Sequence, residues 1–92
     1  MEKITELSII TFLEDLVGHR FTRQQLQDRL DSFFRCSIEF EDITYYDDDL
    51  PSDWNFIFNY SKRGIFVDVD LYYLKSRNGN QFYITEVAYH FE

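Results

Sequence analysis

The hydrophobic period of this 92-residue chain changes once, near Cys36, and that change constrains the fold more than any other feature. Before it, apolar residues recur at helical spacing. Ile4, Leu7, Ile10, Leu13 and Val17 fall on one stripe, which Ile9, Phe12 and Leu16 widen. The spacing predicts a helix over 4–17, with Gly18 placed as a left-handed stop after Val17. Thr22 and Gln25 then form a capping box, with Phe21 and Leu26 at the hydrophobic-staple positions on either side. Leu26, Leu30, Phe33 and Phe34 give that second helix a buried face out to about residue 34. A link of only Gly18 to Phe21 makes the pair an αα-hairpin.

After Cys36 the pattern alternates. Ile38 and Phe40 interleave with Glu39 and Glu41, and Ile43 and Tyr45 resume one residue out of phase, which predicts a bulge near Asp42. Asp47 to Asp53 reads as a loop. Trp54, Phe56, Phe58 and Tyr60 form one strand face, and Ile65, Val67, Val69, Leu71 and Tyr73 the next. Residues 81–91 complete a fourth strand after Asn78-Gly79, the strongest hairpin signal in the chain. The expected architecture is α+β in a single domain over 1–92: an N-terminal αα-hairpin packed on one face of a four-stranded antiparallel β-meander, ααββββ. Eighteen aromatics suit so small a core, since each buries roughly 150–250 Å².

Alternation also predicts register. A short loop at 61–64 sets Tyr60 opposite Ile65, Phe58 opposite Val67, Phe56 opposite Val69 and Trp54 opposite Leu71, leaving Asn59 with Phe66, Ile57 with Asp68 and Asn55 with Asp70 on the other face. A two-residue Asn78-Gly79 turn sets Tyr73 opposite Ile84 and Val69 opposite Ala88 inside. It pairs Asp68 with Tyr89, Asp70 with Val87, Tyr72 with Thr85 and Phe66 with Phe91 outside. It also points Glu86 at the helices, where the carboxylate needs a partner such as an arginine of the second helix. A register slipped by one turns Glu86 outward and brings Tyr83, Val87 and Tyr89 inside. The turn chemistry favours the first of these, and the direction of Glu86 separates them.

Charge narrows the function. The net charge is −8, and residues 36–92 hold eleven acidic residues against four basic ones, so the excess lies on the predicted sheet. Direct nucleic-acid binding is disfavoured, because neutralising phosphates needs Lys and Arg, and anionic membranes are disfavoured for the same reason. A basic protein surface is the favoured partner, and charge alone would speed that encounter; the plainer reading of the charge is solubility. A lone Cys36 leaves no intramolecular disulfide and no multi-thiolate zinc site, so a reducing cytoplasm is the expected location. No apolar run approaches the ~18 residues of a membrane span.

Catalytic patterns are weak, and an enzyme, a cofactor and a metal are not expected. Asp47, Asp49 and Asp53 match positions of a calcium loop, but Pro51, Ser52 and Phe58 stand where two ligands and the turn glycine belong. A solvated acidic loop, partly neutralised by Lys75 and Arg77, is the simpler reading. Asp68 and Asp70 set two carboxylates on one strand face roughly 6.6–6.8 Å apart. A metal site would need a third ligand there. His19 and His90 have no nucleophile at a telling position, and Cys36 suits packing. Arg20, Arg23, Arg29 and Arg35 are scattered rather than striped, and no recognition helix follows the helix pair.

The candidate partner-binding set is therefore Asp68, Asp70, Glu39 and Glu41, with Asp47, Asp48 and Asp49 as a rim and Phe66, Tyr72 and Tyr89 as apolar anchors. The i, i+2 carboxylate spacing resembles the gap between neighbouring phosphates. In size, charge, Ile/Asn/Tyr/Phe-rich usage and the acidic strand pattern of Glu39, Glu41, Asp68 and Asp70, the chain resembles small acidic mobile-element proteins of the anti-CRISPR and DNA-mimic type. That resemblance implies a non-enzymatic phage-type inhibitor covering a basic nucleic-acid channel in the cytoplasm of a bacterial host. An immunity protein or antitoxin against a basic nuclease toxin would use similar physics. A homodimer joined through the outer sheet face is the structural alternative.

Overall fold

The computed structural model of the chain describes residues 3–47, 50–77 and 79–92, with side chains outside 44–53. Its elements run α1 (Glu6–Leu16), β1 (Arg20–Phe21), α2 (Arg23–Phe34), β2 (Glu41–Asp47), β3 (Leu50–Lys62), β4 (Ile65–Lys75) and β5 (Phe82–Phe91). The five strands form one antiparallel sheet in the order β1-β5-β4-β3-β2. The α+β class is as the sequence indicates, but the sheet has five strands, not four.

Both helices start on reciprocal caps. Thr22 and Gln25 form the expected box, in which the Gln25 N–H donates to Thr22 Oγ1 at 3.1 Å and the Thr22 N–H to Gln25 Oε1 at 2.9 Å. Thr5 and Ser8 form a second box at the start of α1. The first helix ends at Leu16, because Val17 is already extended and Gly18 has φ +87. The link beyond it is not a free connector. The Gly18 N–H donates to the Ile84 carbonyl at 2.8 Å, and the Ile84 N–H to the His19 carbonyl at 3.1 Å. Arg20 and Phe21 then pair with Tyr83 and Phe82. These bonds occupy backbone groups that an open β5 edge would leave unpaired, and they make the fifth strand.

The β3–β4 connection is a two-residue turn. Lys62 faces Ile65, while Arg63 has φ 55 and Gly64 φ 79, the two left-handed positions of a type I′ hairpin. Pairing is therefore displaced by two residues from expectation: Tyr60 opposite Val67, Phe58 opposite Val69, Phe56 opposite Leu71, Asn59 opposite Asp68 and Ile57 opposite Asp70. A shift of two preserves the faces, so Phe56, Phe58, Tyr60, Val67, Val69 and Leu71 are all buried toward the helices. No irregularity interrupts β2 at Asp42. The register shift falls between Tyr45 and Tyr46, and Leu50 to Asp53 belong to β3 rather than to a loop. Ile43 consequently shares the outer face with its partner Asn55, and Asp42 the inner face with Phe56.

Each register proposed for the last hairpin describes one part of it. Next to the turn Tyr73 faces Ile84 and Leu74 faces Tyr83, as the Asn-Gly turn predicts. The ladder then shifts between Tyr72 and Tyr73, leaving Thr85 as the extra residue, and continues with Tyr72 opposite Glu86, Val69 opposite Tyr89 and Asp68 opposite His90. Glu86 is exposed, while Val87, Tyr89 and Phe91 pack against the core.

That core is strongly aromatic. Phe34 of α2 meets Phe12, Phe33, Phe58 and Tyr60 with ring centroids 4.7–6.0 Å apart. Phe56 stacks on Tyr73 at 4.4 Å and meets Phe40 and Phe82 edge-on. Truncating Phe34 removes the ring that joins α2 to β3, so Phe34→Ala is expected to cost about 3–5 kcal/mol in urea unfolding.

The Tyr73 hydroxyl donates to Asp42 across β3. Burial, then this bond and the carboxylate's charge, push the phenol far above its ordinary range. Because the folded value lies above the unfolded one of about 10, Tyr73 contributes its full stabilisation below about pH 10 and loses it as pH rises further. Wild-type stability should therefore fall more steeply than that of Tyr73→Phe between about pH 9 and 11 in urea titrations. Parallel curves would disprove the linkage.

Candidate protein-binding face

The four carboxylates singled out on the strands line one groove. Glu39, Glu41, Asp68 and Asp70 border a cavity of about 840 Å³ on the outer side of the sheet, with Ile57 and Asn59 between them. Register explains the grouping. Glu41 pairs with Ile57, and Ile57 with Asp70, so the three sit in one row across β2, β3 and β4. Asn59 and Asp68 form the neighbouring row. At about 4.8 Å per strand, Glu41 and Asp70 are roughly 10 Å apart at the backbone.

Glu39 reaches the groove by other means, since residues 37–40 are outside β2. Side chains of α2 hold that segment. Asp31 accepts from the Ile38 N–H at 2.8 Å, and Gln27 Nε2 donates to the Ile38 carbonyl at 2.6 Å and to Asp31 at 2.8 Å. Arg23 donates to the Phe40 carbonyl at 3.4 Å, with its guanidinium 4.6 Å from the Phe40 ring centroid. With Ile38 and Phe40 buried, Glu39 between them is turned to solvent.

Asp68 and Asp70 differ in role despite their spacing. Asp68 is exposed, and its cross-strand neighbour is His90. Asp70 is half-buried and accepts a 3.0 Å bond from Nδ2 of Asn55. Asn55 is fully buried although it belongs to the outer face, and its Oδ1 finds no partner among the described residues. Asp70 thus satisfies a buried amide, whereas Asp68, Glu39 and Glu41 have their charge available to a ligand. No three His, Cys, Asp or Glu side chains among the described residues converge closely enough to hold a metal ion. The groove is suited instead to several separate cationic groups.

The apolar anchors need correction. Phe66 is exposed on the outer face, and Tyr72 is half-buried there. Tyr89 is not on that face. The shift at Thr85 turns it toward the helices, where its hydroxyl donates to Glu14 of α1 at 3.5 Å and its ring meets Phe91 at 5.9 Å. Leu74 and Tyr83, exposed outer-face residues absent from the expected set, occupy the sheet's other end. The Asn78-Gly79 register, which correctly pairs residues next to the turn, was the available signal for them. Asp48, Asp49 and the side chain of Asp47 lie outside the described residues, as does any contact they make with Lys75 and Arg77. Cys36 packs against the core, as its position suggested. No helix among the described residues is long and apolar enough to cross a membrane.

Losing the carboxylate partner leaves the Asn55 amide buried and unpaired. Asp70→Ala is therefore expected to cost about 1–3 kcal/mol in urea unfolding, against less than about 0.5 kcal/mol for Asp68→Ala. Equal costs would contradict the division of labour between the two.

Comparison with protein families, with curated proteins and with solved structures finds no match to this chain, so the reading of this face rests on its own residues.

Proposed function

We propose that the chain is a non-enzymatic acidic binding protein that inhibits a basic, nucleic-acid-handling partner, in the manner of phage or mobile-element inhibitors. One observation carries the reading: Glu39, Glu41, Asp68 and Asp70 border a single groove, although two elements and an irregular segment supply them. A solubilising charge needs no such gathering. Carboxylates on β2 and β4, to either side of β3, and on the 37–40 segment gather negative charge along one groove, and the i, i+2 spacing of Asp68 and Asp70 is that of neighbouring phosphates in a nucleic-acid backbone. Ile57 within the groove and Phe66 on the same face add apolar area, which a charge-only contact lacks.

The discriminating variant is Glu39→Lys with Glu41→Lys and Asp68→Lys, which spares Asp70 and its bond to Asn55. In a native-host lysate, immobilised wild-type protein should capture a basic nucleic-acid-binding protein. Short duplex DNA should compete for that capture, and the wild-type chain should suppress the captured protein's own nucleic-acid binding. The triple variant should bind it about 10²-fold more weakly or worse, because repulsion replaces attraction at three sites. A folded triple variant with undiminished affinity would defeat the proposal, as would a captured partner indifferent to DNA.

A further inference from the structure

We propose that the outer sheet face docks onto a second copy of this chain, the acidic groove of each copy receiving a basic corner of the other. The inference does not rest on the inhibitory reading; it shares the acidic groove with that reading and adds the basic corner, which that reading leaves unused.

The basic corner is a separate cavity of about 530 Å³ lined by Arg20, Lys75 and Arg77 together with Leu74 and Tyr83. Three of the nine cationic residues of a strongly acidic chain thus border one place, with Arg20 on the outer face and Lys75, paired with the buried Phe82, on the opposite parity. They come from three segments: β1, the end of β4 and the β4–β5 turn. The Arg20 guanidinium lies 5.9 Å from the Tyr83 ring centroid. Arg20 pairs with Tyr83, and Tyr83 with Leu74, so all three share the face that carries Asp68 and Asp70. No ion pair among the described residues occupies Arg20, Lys75 or Arg77.

The acidic groove spans β2 to β4 toward the β3–β4 turn, and the basic cavity spans β1 to β4 toward the β4–β5 turn. The two lie at diagonal corners of one surface. Leu74 is six residues beyond Asp68 along β4, roughly 20 Å at strand rise. That separation exceeds the ~8 Å Debye length at physiological salt, so the corners do not neutralise each other within one molecule. Arg20, Arg77 and the groove residues Glu39, Glu41 and Asp68 are exposed, and the chain itself carries the complement of each corner.

Symmetry permits both contacts at once. A two-fold axis lying between the facing sheets, through the midpoint of the two corners and perpendicular to the line joining them, carries each acidic groove over a basic corner. The same set of ion pairs then forms twice, as an isologous dimer requires. Apolar contact is available as well. Three of the five large exposed hydrophobic side chains among the described residues are on this face: Phe66 at 47%, Leu74 at 54% and Tyr83 at 38% exposure. Burial of such side chains supplies affinity, while the diagonal charges set the orientation.

The test is sedimentation velocity of the full chain with two opposite charge reversals. Wild-type protein should sediment at twice the 11.2 kDa chain mass at about 0.05 M salt and shift toward monomer at about 0.5 M. Glu39→Lys with Glu41→Lys and Asp68→Lys makes both corners basic. Arg20→Glu with Arg77→Glu makes both acidic. Each should weaken self-association by about 10²-fold. An equimolar mixture of the two should recover a heterodimer, because both contacts then pair opposite charges. All five positions are exposed, and Glu39→Gln with Glu41→Gln and Asp68→Asn serves if a reversed chain does not fold. A wild-type monomer at low salt, a dimer that survives either reversal, or a mixture that stays monomeric would each overturn the proposal. The two readings share the groove but not the readout: self-association is decided by sedimentation of the pure chain and the inhibitory reading by capture of a DNA-competed partner, so each can fail while the other stands.

Discussion

A carboxylate cannot enter an apolar core without a partner, and the outer face of this sheet is arranged around that constraint at Glu86. Continued from the turn, the register that sets Tyr73 opposite Ile84 would aim Glu86 into the aromatic core, at a cost of several kcal/mol. Thr85 is inserted instead, its hydroxyl donating to the Tyr72 carbonyl at 3.3 Å, and Glu86 emerges into solvent. Every residue after it changes sides. Val87, Tyr89 and Phe91 take inner positions, while Ala88 and His90 come out beside Asp70 and Asp68. One extra residue thus decides which β5 side chains stand beside Asp68 and Asp70 and which pack against the core.

The parts of the fold legible in the sequence are those specified by local chemistry. Thr22 with Gln25 marks the start of α2, and Asn78-Gly79 marks the pairing of Tyr73 with Ile84, because each signal is a short-range hydrogen-bonding or backbone requirement. Alternation is a weaker instrument. It fixes the face of each residue but not its partner, so a two-residue displacement between β3 and β4 changed every pair and no face. It also misleads where a polar residue inside has a partner. Asp42 takes an inner position because Tyr73 donates to it, and Ile43 is then carried outward without a bulge. The strand β1 has only two residues, too few for any period, and exists because the β5 edge offers backbone groups to the interhelix link. At Thr5 the cap was hidden for a simpler reason: Ser8 fills the position where the usual signature has Glu or Gln.

For the candidate site, parity put Asp68, Asp70 and Glu41 on one face. It set Glu39 beside Glu41 as well, but by strand alternation, whereas the segment 37–40 is held by Asp31, Gln27 and Arg23 of α2 rather than by a strand partner. Parity did not distinguish the two aspartates. Their difference arises from Asn55, a buried amide on a face where burial was not expected, which makes Asp70 part of the sheet's internal bonding and leaves Asp68 free of that duty.

Net charge is therefore a poor description of this surface. The value of −8 averages an acidic groove on the β2 side with a cluster of Arg20, Lys75 and Arg77 on the β1 side. Beyond a Debye length an approaching molecule senses mainly the sum, which draws basic partners to the molecule without orienting them. Within that length it meets a dipolar face, and only an approach that sets positive groups against the groove and negative groups or none against the basic corner is free of repulsion. A uniformly basic surface large enough to cover both corners would be rejected at one of them. Two approaches are free of that repulsion, one for each proposal: a compact basic site confined to the groove, and a surface with the same diagonal pattern as this one.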